Sequence, residues 1–430
     1  MKYVIWGAGQ LGKKALSIIG KENVICFVDK NEKLQDTIID NVLVYNPKYL
    51  SKISEQYIIL ITPASYDDEI ARELHRNGIE NYLLFSDHPY CLDMSENSDI
   101  SKTISNVSKL KGNIALYGIT WFTLAIYDFL NTRGKKPVMF ISGCENKTIL
   151  EIIAKEYVVV KNENDLEYVD YILAPTGING IPKEKYVDIE DYFEKTYPSV
   201  NTEIQKYKDI HKDQRCFIVA TGPSLRVGDL EKLYENNEIC ISMNRIYNIF
   251  DKTVWRPDYY VIEDQKMIED LSEEIANLEL KHKFVSSCPQ SYWKQEKAKT
   301  SIRYKMIMQD CLTDRVGFSL NPDRLIYNGY TVTYVCLQLA LYMGFSEIFL
   351  LGVDFNYSDD VYAESNHFEG YQKKYKDIRL NPIEPERMKR AYIKAKTVAE
   401  MKNIHIYNAT RGGKLEVFER INFDEVMQNE

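Results

Sequence analysis

No two of the eight cysteines (Cys26, Cys91, Cys144, Cys216, Cys240, Cys288, Cys311, Cys336) form a C-x-x-C pair. Several sit in apolar strand-like runs, VICFVD and RCFIVATG, where reduced buried thiols are the ordinary expectation. A reducing cytoplasm therefore fits better than a secreted disulfide scaffold. Long hydrophobic runs are missing too: no apolar stretch reaches about 18 residues, so no transmembrane helix is expected. The opening residues MKYVIWGAG enter a strand directly, which leaves no room for a signal peptide. Excess positive charge is absent, the formal net charge being −9. Nucleic-acid binding normally leaves a basic footprint, so no nucleic-acid partner is expected. Histidine is scarce, with six in the chain.

What is present describes an ordinary globular protein: 430 residues, 45% hydrophobic and 27% charged. That length favours two or three domains. The pattern along the chain gives three αβ units, at 1–100, 101–200 and 201–430.

The first unit has a short apolar strand, KYVIW, ending in Gly7-Ala8-Gly9-Gln10-Leu11-Gly12. A helical stretch KKALSII follows, then a second strand, Val24–Val28, closing on Asp29. Strand, glycine turn, helix, strand and acid is the order of a dinucleotide-binding unit. Gly7, Gly9 and Gly12 permit a tight turn and close approach of a pyrophosphate, and Asp29 stands where a ribose-binding acid belongs. A third strand, Tyr57–Ile61, ends in Thr62-Pro63-Ala64-Ser65. No Tyr-x-x-x-Lys pair follows at a useful place, so redox catalysis is not expected. The unit resembles the sugar-nucleotide-binding Rossmann-like modules found at the N-terminus of many bacterial polysaccharide enzymes. A packing or assembly module is the plainer alternative.

The second unit reads as a degenerate copy. NIALY (113–117) leads into Gly118 and a helix FTLAIYDFLNTRG, then PVMFIS (137–142), and Tyr171–Gly177 echoes Tyr57–Pro63. Only one glycine of the set survives and no acid ends the second strand, so a spacer or dimerisation role is expected. A polar connector, Tyr192–Gln214, leads to the third unit.

There, the strand RCFIVA (215–220) runs into Thr221-Gly222-Pro223-Ser224, a turn that exposes backbone N–H groups, with Ser224 placed to cap the next helix. A second strand delivers Met243-Asn244-Arg245, and a third delivers Glu263-Asp264-Gln265. Three strands ending in small or polar groups should line one edge of a parallel sheet, where ligands of open α/β sheets bind. Asn328-Gly329 opens a near-continuously apolar helix, and EIFLL (347–351) ends in Gly352-Val353-Asp354-Phe355-Asn356-Tyr357. Tyr362 and Asn366-His367-Phe368 follow in a loop, and a last strand ends in Asn408-Ala409-Thr410.

Taken in order, the ATGPSL turn, MNR, the NGYTVTYVCLQLALYMGFSEIFLLGVDF block, VYAE, NHF and IYNAT resemble one superfamily. It includes the monofunctional bacterial sialyltransferases of glycosyltransferase family 42, the motility accessory factors that glycosylate flagellin, and the archaeal 6-hydroxymethylpterin pyrophosphokinases. The resemblance covers about 230 residues, the C-terminal half. It implies that Thr221, Gly222, Pro223 and Ser224 cradle a CMP donor, with Thr221 replacing an Asn. It implies that Asn244 contacts the nucleotide, that Asp354 falls in a G-[IV]-D-F motif, and that Tyr362 holds the donor phosphate. Asn356 stands where the sialyltransferases have a second phosphate-binding Tyr, with Tyr357 adjacent. His367 matches their catalytic His, although its spacing after Tyr362 differs, which places the chain nearer the accessory factors. Asp264, Asn328, Gly329 and Asn408 complete the expected nucleotide-binding set.

The chemistry agrees with those roles. Transfer of a nonulosonic acid from its CMP ester needs a general base for the acceptor hydroxyl, and His is the natural base near neutral pH. Tyr hydroxyls can hydrogen-bond the leaving phosphate without a metal. Glu263 and Asp264 form an acidic pair of the sort that binds Mg²⁺ in phosphoryl transfer, but no metal and no further cofactor is assigned. Residues 371–402 hold ten Lys/Arg (Lys373, Lys374, Lys376, Arg379, Arg387, Lys389, Arg390, Lys394, Lys396, Lys402) against four acids, a stretch suited to donor phosphates or an anionic membrane surface. A charged helix face is the alternative.

The expectation is therefore an α/β protein of three consecutive Rossmann-like units with parallel sheets, the C-terminal one sialyltransferase-like (GT-A-like). Its expected function is glycosyl transfer from a CMP-sugar to a surface-glycan or protein acceptor, metal-independent, with His367, Tyr362 and Asp354 as catalytic residues. It would work in the cytoplasm, at the inner face of the membrane if its acceptor lies there, and peripheral membrane contact and homo-oligomerisation are both compatible with the sequence. An ATP-dependent pyrophosphokinase of a pterin-like alcohol and a non-catalytic sugar-nucleotide-binding assembly protein are the alternatives.

Overall fold

Parallel strands buried on both faces read as unbroken apolar runs, and the chain has three sets of them. In the computed structural model, residues 1–63, 67–85, 107–141, 147–174, 181–188, 200–287, 300–307, 316–358, 360–369, 371 and 383–428 are described. Among them are three large sheets and one two-stranded sheet. The first sheet has the order β3-β4-β2-β1-β5-β6, formed by β1 (Tyr3–Trp6), β2 (Val24–Val28), β3 (Ile38–Ile39), β4 (Val42–Tyr45), β5 (Ile58–Ile61) and β6 (Tyr82–Leu84). All pairs are parallel except β3–β4, a short antiparallel hairpin that the sequence pattern did not signal. The second sheet is parallel, with the order β11-β10-β7-β8-β9: β7 (Ile114–Tyr117), β8 (Val138–Phe140), β9 (Val159–Val160), β10 (Tyr171–Ala174), β11 (Tyr186–Asp188).

The chain divides into two compact units, Met1–Thr196 with 308–315, and Tyr197–Ile307 with Val316–Glu430. The first two sheets thus share one unit. Within it, Trp121 is buried, its ring lies tilted against Phe85 with centroids 4.5 Å apart, and its indole N–H donates to the Phe85 carbonyl at 2.9 Å.

The second unit holds an eight-stranded sheet, order β16-β15-β14-β13-β12-β19-β20-β21, parallel throughout. Its strands are β12 (Arg215–Val219), β13 (Cys240–Met243), β14 (Tyr259–Ile262), β15 (His282–Ser286), β16 (Ser301–Tyr304), β19 (Glu347–Leu351), β20 (His405–Asn408) and β21 (Glu419–Arg420). Between them, β17 (Met306–Ile307) and β18 (Ile326–Tyr327) form the two-stranded sheet. Chain order runs outward from β12 to β16 on one side and resumes at β19 on the other. The switch point, where a parallel sheet opens a crevice at its carboxyl edge, is therefore between β12 and β19.

The helix Val332–Met343 packs across β12, β13 and β14. All twelve of its residues are buried, which explains its lack of a polar face. Gly344 ends it in the left-handed region at φ 90°, the usual helix stop. The helix Pro385–Met401 begins with Pro at its first turn, where no N–H is needed.

The polar stretch expected as a connector is different in its described part. Residues 200–214 belong to the second unit, carry a short helix, Thr202–Gln205, and are laced to the end of the helix Val332–Met343 through backbone bonds from Asp209, His211 and Asp213 to the carbonyls of Tyr342, Met343 and Gly344. Lysines on its outer side hid a segment fixed by its backbone. Cys26, Cys216, Cys240 and Cys336 are buried free thiols, and burial pushes Cys26 up to about 12. The other four cysteines, Ala64, Ser65, the 175–177 end of the repeated strand, and Lys373, Lys374, Lys376 and Arg379 lie outside the described residues. No described helix is long and apolar enough to cross a membrane.

Candidate functional site

In the first unit, the glycine turn has the required shape. Gly7 sits at φ 106°, and a Cβ on Gly12 would fall 1.9 Å from the Gly7 carbonyl, so helix and strand meet there only through glycine. Gly9 caps the helix Gln10–Ile19 without a side-chain bond. Asp29 is already engaged: its Oδ2 accepts the Ala8 N–H at 2.8 Å and its Oδ1 accepts the Asn31 N–H at 2.8 Å. The acid expected to read a ribose thus braces the turn itself. In the second sheet, the helix Trp121–Thr132 is closed by its own capping box, in which the side chains of Thr120 and Thr123 take up each other's N–H groups.

The second unit gathers more of the expected residues. The turn after β12 lies beside the end of β19, across the switch point. Ala220 donates to the Leu351 carbonyl at 2.8 Å and Gly222 to the Gly352 carbonyl at 2.9 Å. Ser224 reaches Asp354 Oδ2 with its hydroxyl at 2.8 Å and its backbone N–H at 3.3 Å. Burial raises the Asp354 carboxyl above its ordinary value, and the Ser224 bonds pull the other way. Asp354 therefore serves first to close the turn. A third segment, the loop after β20, closes on the same residue: Lys414 N–H donates to the Asp354 carbonyl at 2.6 Å. That loop is fixed by Arg411, which forks onto Asp229 and Asp424.

His367 arrives from the loop that follows β19. Its Nδ1 lies 3.2 Å from Thr221 Oγ1, and Phe368 donates its N–H to the Thr221 carbonyl at 3.0 Å. Burial lowers the imidazole to about 4, with the Arg245 charge as the second cause and a hydrogen bond to the Thr221 backbone opposing them. The loop is stapled by Asn366, whose amide donates to the Asp360 carbonyl at 2.9 Å and accepts the Ser358 N–H at 2.8 Å. Tyr362 on this loop is 47% exposed, open to a ligand. Asn356 is exposed, whereas Tyr357 is half-buried and its phenol is pushed up by burial, with Tyr392 and Asp354 adding to the shift.

Asn244 adopts the left-handed backbone at φ 51°, held by Tyr260, whose hydroxyl donates to the Asn244 carbonyl at 2.7 Å. Its side-chain oxygen is buried with no hydrogen-bond partner, an acceptor held ready at a strand end. The remaining candidates have internal duties. Asp264 caps the helix Gln265–Asp270 by accepting the Met267 N–H at 3.1 Å. Asn408 is fully buried, donating to the Leu415 carbonyl at 2.9 Å and accepting the Thr410 N–H at 3.1 Å. Gly329 is dictated by packing, since a Cβ would lie 2.4 Å from the Tyr334 ring, and Asn328 beside it is buried. Of the described cations in 383–402, Arg387 and Lys394 are buried and Arg390 pairs with Glu386 at 3.4 Å, whereas Lys389, Lys396 and Lys402 are exposed.

Glu263 and Asp264 do not act as a pair. Asp264 is taken up by its helix cap, and the Glu263 Oε2 is buried without a hydrogen-bond partner. Burial, then the nearby Asp264 charge, pushes its carboxyl up to about 8 from 4.5. Because the folded value lies above the unfolded one, Glu263 contributes stability below about pH 4.5 that is lost as pH rises towards 8. The Glu263→Gln variant, having no proton to lose, should gain in melting temperature relative to the parent between pH 5 and 8 and then hold a constant lead. A pH-independent difference would mean that Glu263 ionises freely. Among the described residues no cluster of three or more His, Cys, Asp or Glu is arranged to hold a metal.

Three residues to which sequence reasoning gave no role matter here: Arg245, Tyr371 and Asn366. Arg245 stood in the MNR motif, but nothing in its type signalled a fully buried cation. Tyr371 was one of 32 tyrosines.

Residues 191–360 match the family model described as 6-hydroxymethylpterin diphosphokinase MptE-like. The match spans the ATGPSL, MNR, NGYTV and GVDF motifs and stops short of Tyr362 and His367. Residues 1–85 match the C2185-like N-terminal family. No curated protein matches the chain. A solved structure of a MAf glycosyltransferase from Magnetospirillum magneticum AMB-1 aligns over 76% of this chain and 63% of that one, at 14% identity and a TM-score of 0.34. The chain thus spans less than two thirds of that protein's length.

Proposed function

We propose that the second unit is a glycosyltransferase that binds a CMP-linked nonulosonic (sialic-acid-like) sugar at the β12/β19 switch point. It would pass that sugar to a hydroxyl of a glycan or protein. The observation that carries this reading is the seating of His367 on Thr221, which sets a titratable base against the turn best suited to a phosphate. In the reaction, the acceptor O–H loses its proton to His367, a new glycosidic C–O bond forms, and the bond from the sugar to the CMP phosphate breaks. The base-competent tautomer is the one in which Nδ1–H donates to Thr221 Oγ1, leaving the Nε2 lone pair for the proton. Tyr362, exposed on the same loop, is the candidate donor to the leaving phosphate, and the unpartnered oxygen of Asn244 can accept an amino or hydroxyl proton from the nucleoside.

The family match at 191–360 supports a second reading, an ATP-dependent diphosphokinase of a pterin-like alcohol. Calorimetry and thermal shift against CMP, CDP, UDP and ATP, each with and without Mg²⁺, separate the two. Stabilisation by CMP without Mg²⁺, weakened in Asn244→Ala, is the expected result. Stabilisation confined to ATP with Mg²⁺ would replace the transferase by the kinase, and silence towards every nucleotide would remove both.

A further inference from the structure

Behind His367 the structure stacks three planar groups. The His367 imidazole lies on the Tyr371 ring, with centroids 3.8 Å apart and planes 19° from parallel. On the Tyr371 ring, in turn, lies the Arg245 guanidinium, its Cζ 4.2 Å from the centroid. Arg245 is wholly buried, an unusual position for a cation, and it directly follows Asn244 at the end of β13. Tyr371 is anchored separately, since its carbonyl accepts from the Asn248 side chain at 2.9 Å. The imidazole is thus clamped on one face by a ring and at one edge by Thr221 Oγ1 at 3.2 Å.

We propose that Arg245 and Tyr371 are positioning residues for His367: the ring fixes the plane of the imidazole, and the buried guanidinium sets its charge state. The inference rests on the reading of His367 as the base. Arg245 is the one charged group acting on His367 among the described residues, and Thr221 and Tyr371 are the polar groups touching it. A cation one ring-thickness away disfavours a second positive charge, so the imidazole stays neutral and able to accept a proton in the empty site. An anionic donor phosphate entering beside Thr221 offsets the Arg245 charge. The base then strengthens when the donor is bound, which couples proton abstraction to occupancy.

The test is an NMR titration of the His367 imidazole in the full chain, its signal assigned by its loss in His367→Ala. Arg245→Gln should raise the midpoint by about one pH unit, the size expected for a like charge removed at this range. Arg245→Lys, which keeps the charge, should restore most of the parent value. Tyr371→Phe keeps the platform and should leave the midpoint in place, whereas Tyr371→Leu should raise it and broaden the resonance. An unchanged midpoint in both Arg245→Gln and Tyr371→Leu would overturn the proposal. Should Arg245→Gln fail to fold, the Phe/Leu pair at 371 decides alone. The titration needs no turnover, so a failure of the glycosyltransferase reading, seen as full activity in His367→Ala, is distinguishable from a failure of the clamp.

Discussion

Replacing His367 with alanine should lower turnover by about 10²- to 10⁴-fold, the usual contribution of a positioned general base, while CMP affinity changes by no more than about 3-fold. The separation follows from where the side chain sits. Its Nδ1 meets the Thr221 hydroxyl, and the turn that would hold the phosphate is secured independently by Ser224 on Asp354 and by Gly222 on the Gly352 carbonyl. Loss of the imidazole therefore removes a proton acceptor without unmaking the turn. The pH profile sharpens the test. His367 is lowered from 6.5 to about 4 by burial and then by Arg245, so the acid limb of kcat/KM, which reports the free enzyme, should fall near pH 4 and not near 6.5. The folded state also loses stability as pH falls from about 6.5 to about 4, because a depressed imidazole resists the proton that the unfolded chain accepts over that range. A limb at 6.5 in the parent would show that His367 is solvated in solution, and full activity in His367→Ala would remove it as the base.

How much of this was legible beforehand depended on what each residue type can signal. The parallel strands were readable because strands buried on both faces are apolar throughout and end where polar residues begin, as in RCFIVA before Thr221 and EIFLL before Gly352. The long buried helix Val332–Met343 was readable for the same reason. Asp264 and Asn408 were expected to read a nucleotide because polar groups at strand ends often do. Their side chains go instead to a helix cap and to the backbone of a loop, duties that the same residue types fulfil equally well. Asp29 divides in the same way, its carboxylate spent on Ala8 and Asn31. Arg245 was invisible because a buried cation is indistinguishable from a surface one until its surroundings are known. The stack with Tyr371 joins residues 126 positions apart (371 − 245), which no local pattern reports.

The second large effect is steric. Gly222→Ala should lower the melting temperature by on the order of 2–10 °C and weaken CMP binding at least about 10-fold, as overpacking costs about 1–3 kcal/mol in a site that cannot relax. A Cβ at this position would lie 2.1 Å from Asp354 Oδ2 and 2.4 Å from the Gly352 carbonyl. The first neighbour is a side chain that could turn aside, but only by giving up its bonds to Ser224. The second is backbone at the very end of β19 and cannot yield without parting β12 from β19 at the switch point. Gly228, six residues on in the helix Val227–Glu235, supplies the control, because nothing lies within 4 Å of a Cβ built there. Gly228→Ala should be neutral or stabilise by up to about 1 kcal/mol, as alanine is the better helix former. Equal behaviour of the two variants, read by thermal melting and CMP calorimetry, would show that the turn is looser than its geometry implies. A loss confined to Gly222→Ala would tie the binding site to the contact between this turn and Asp354.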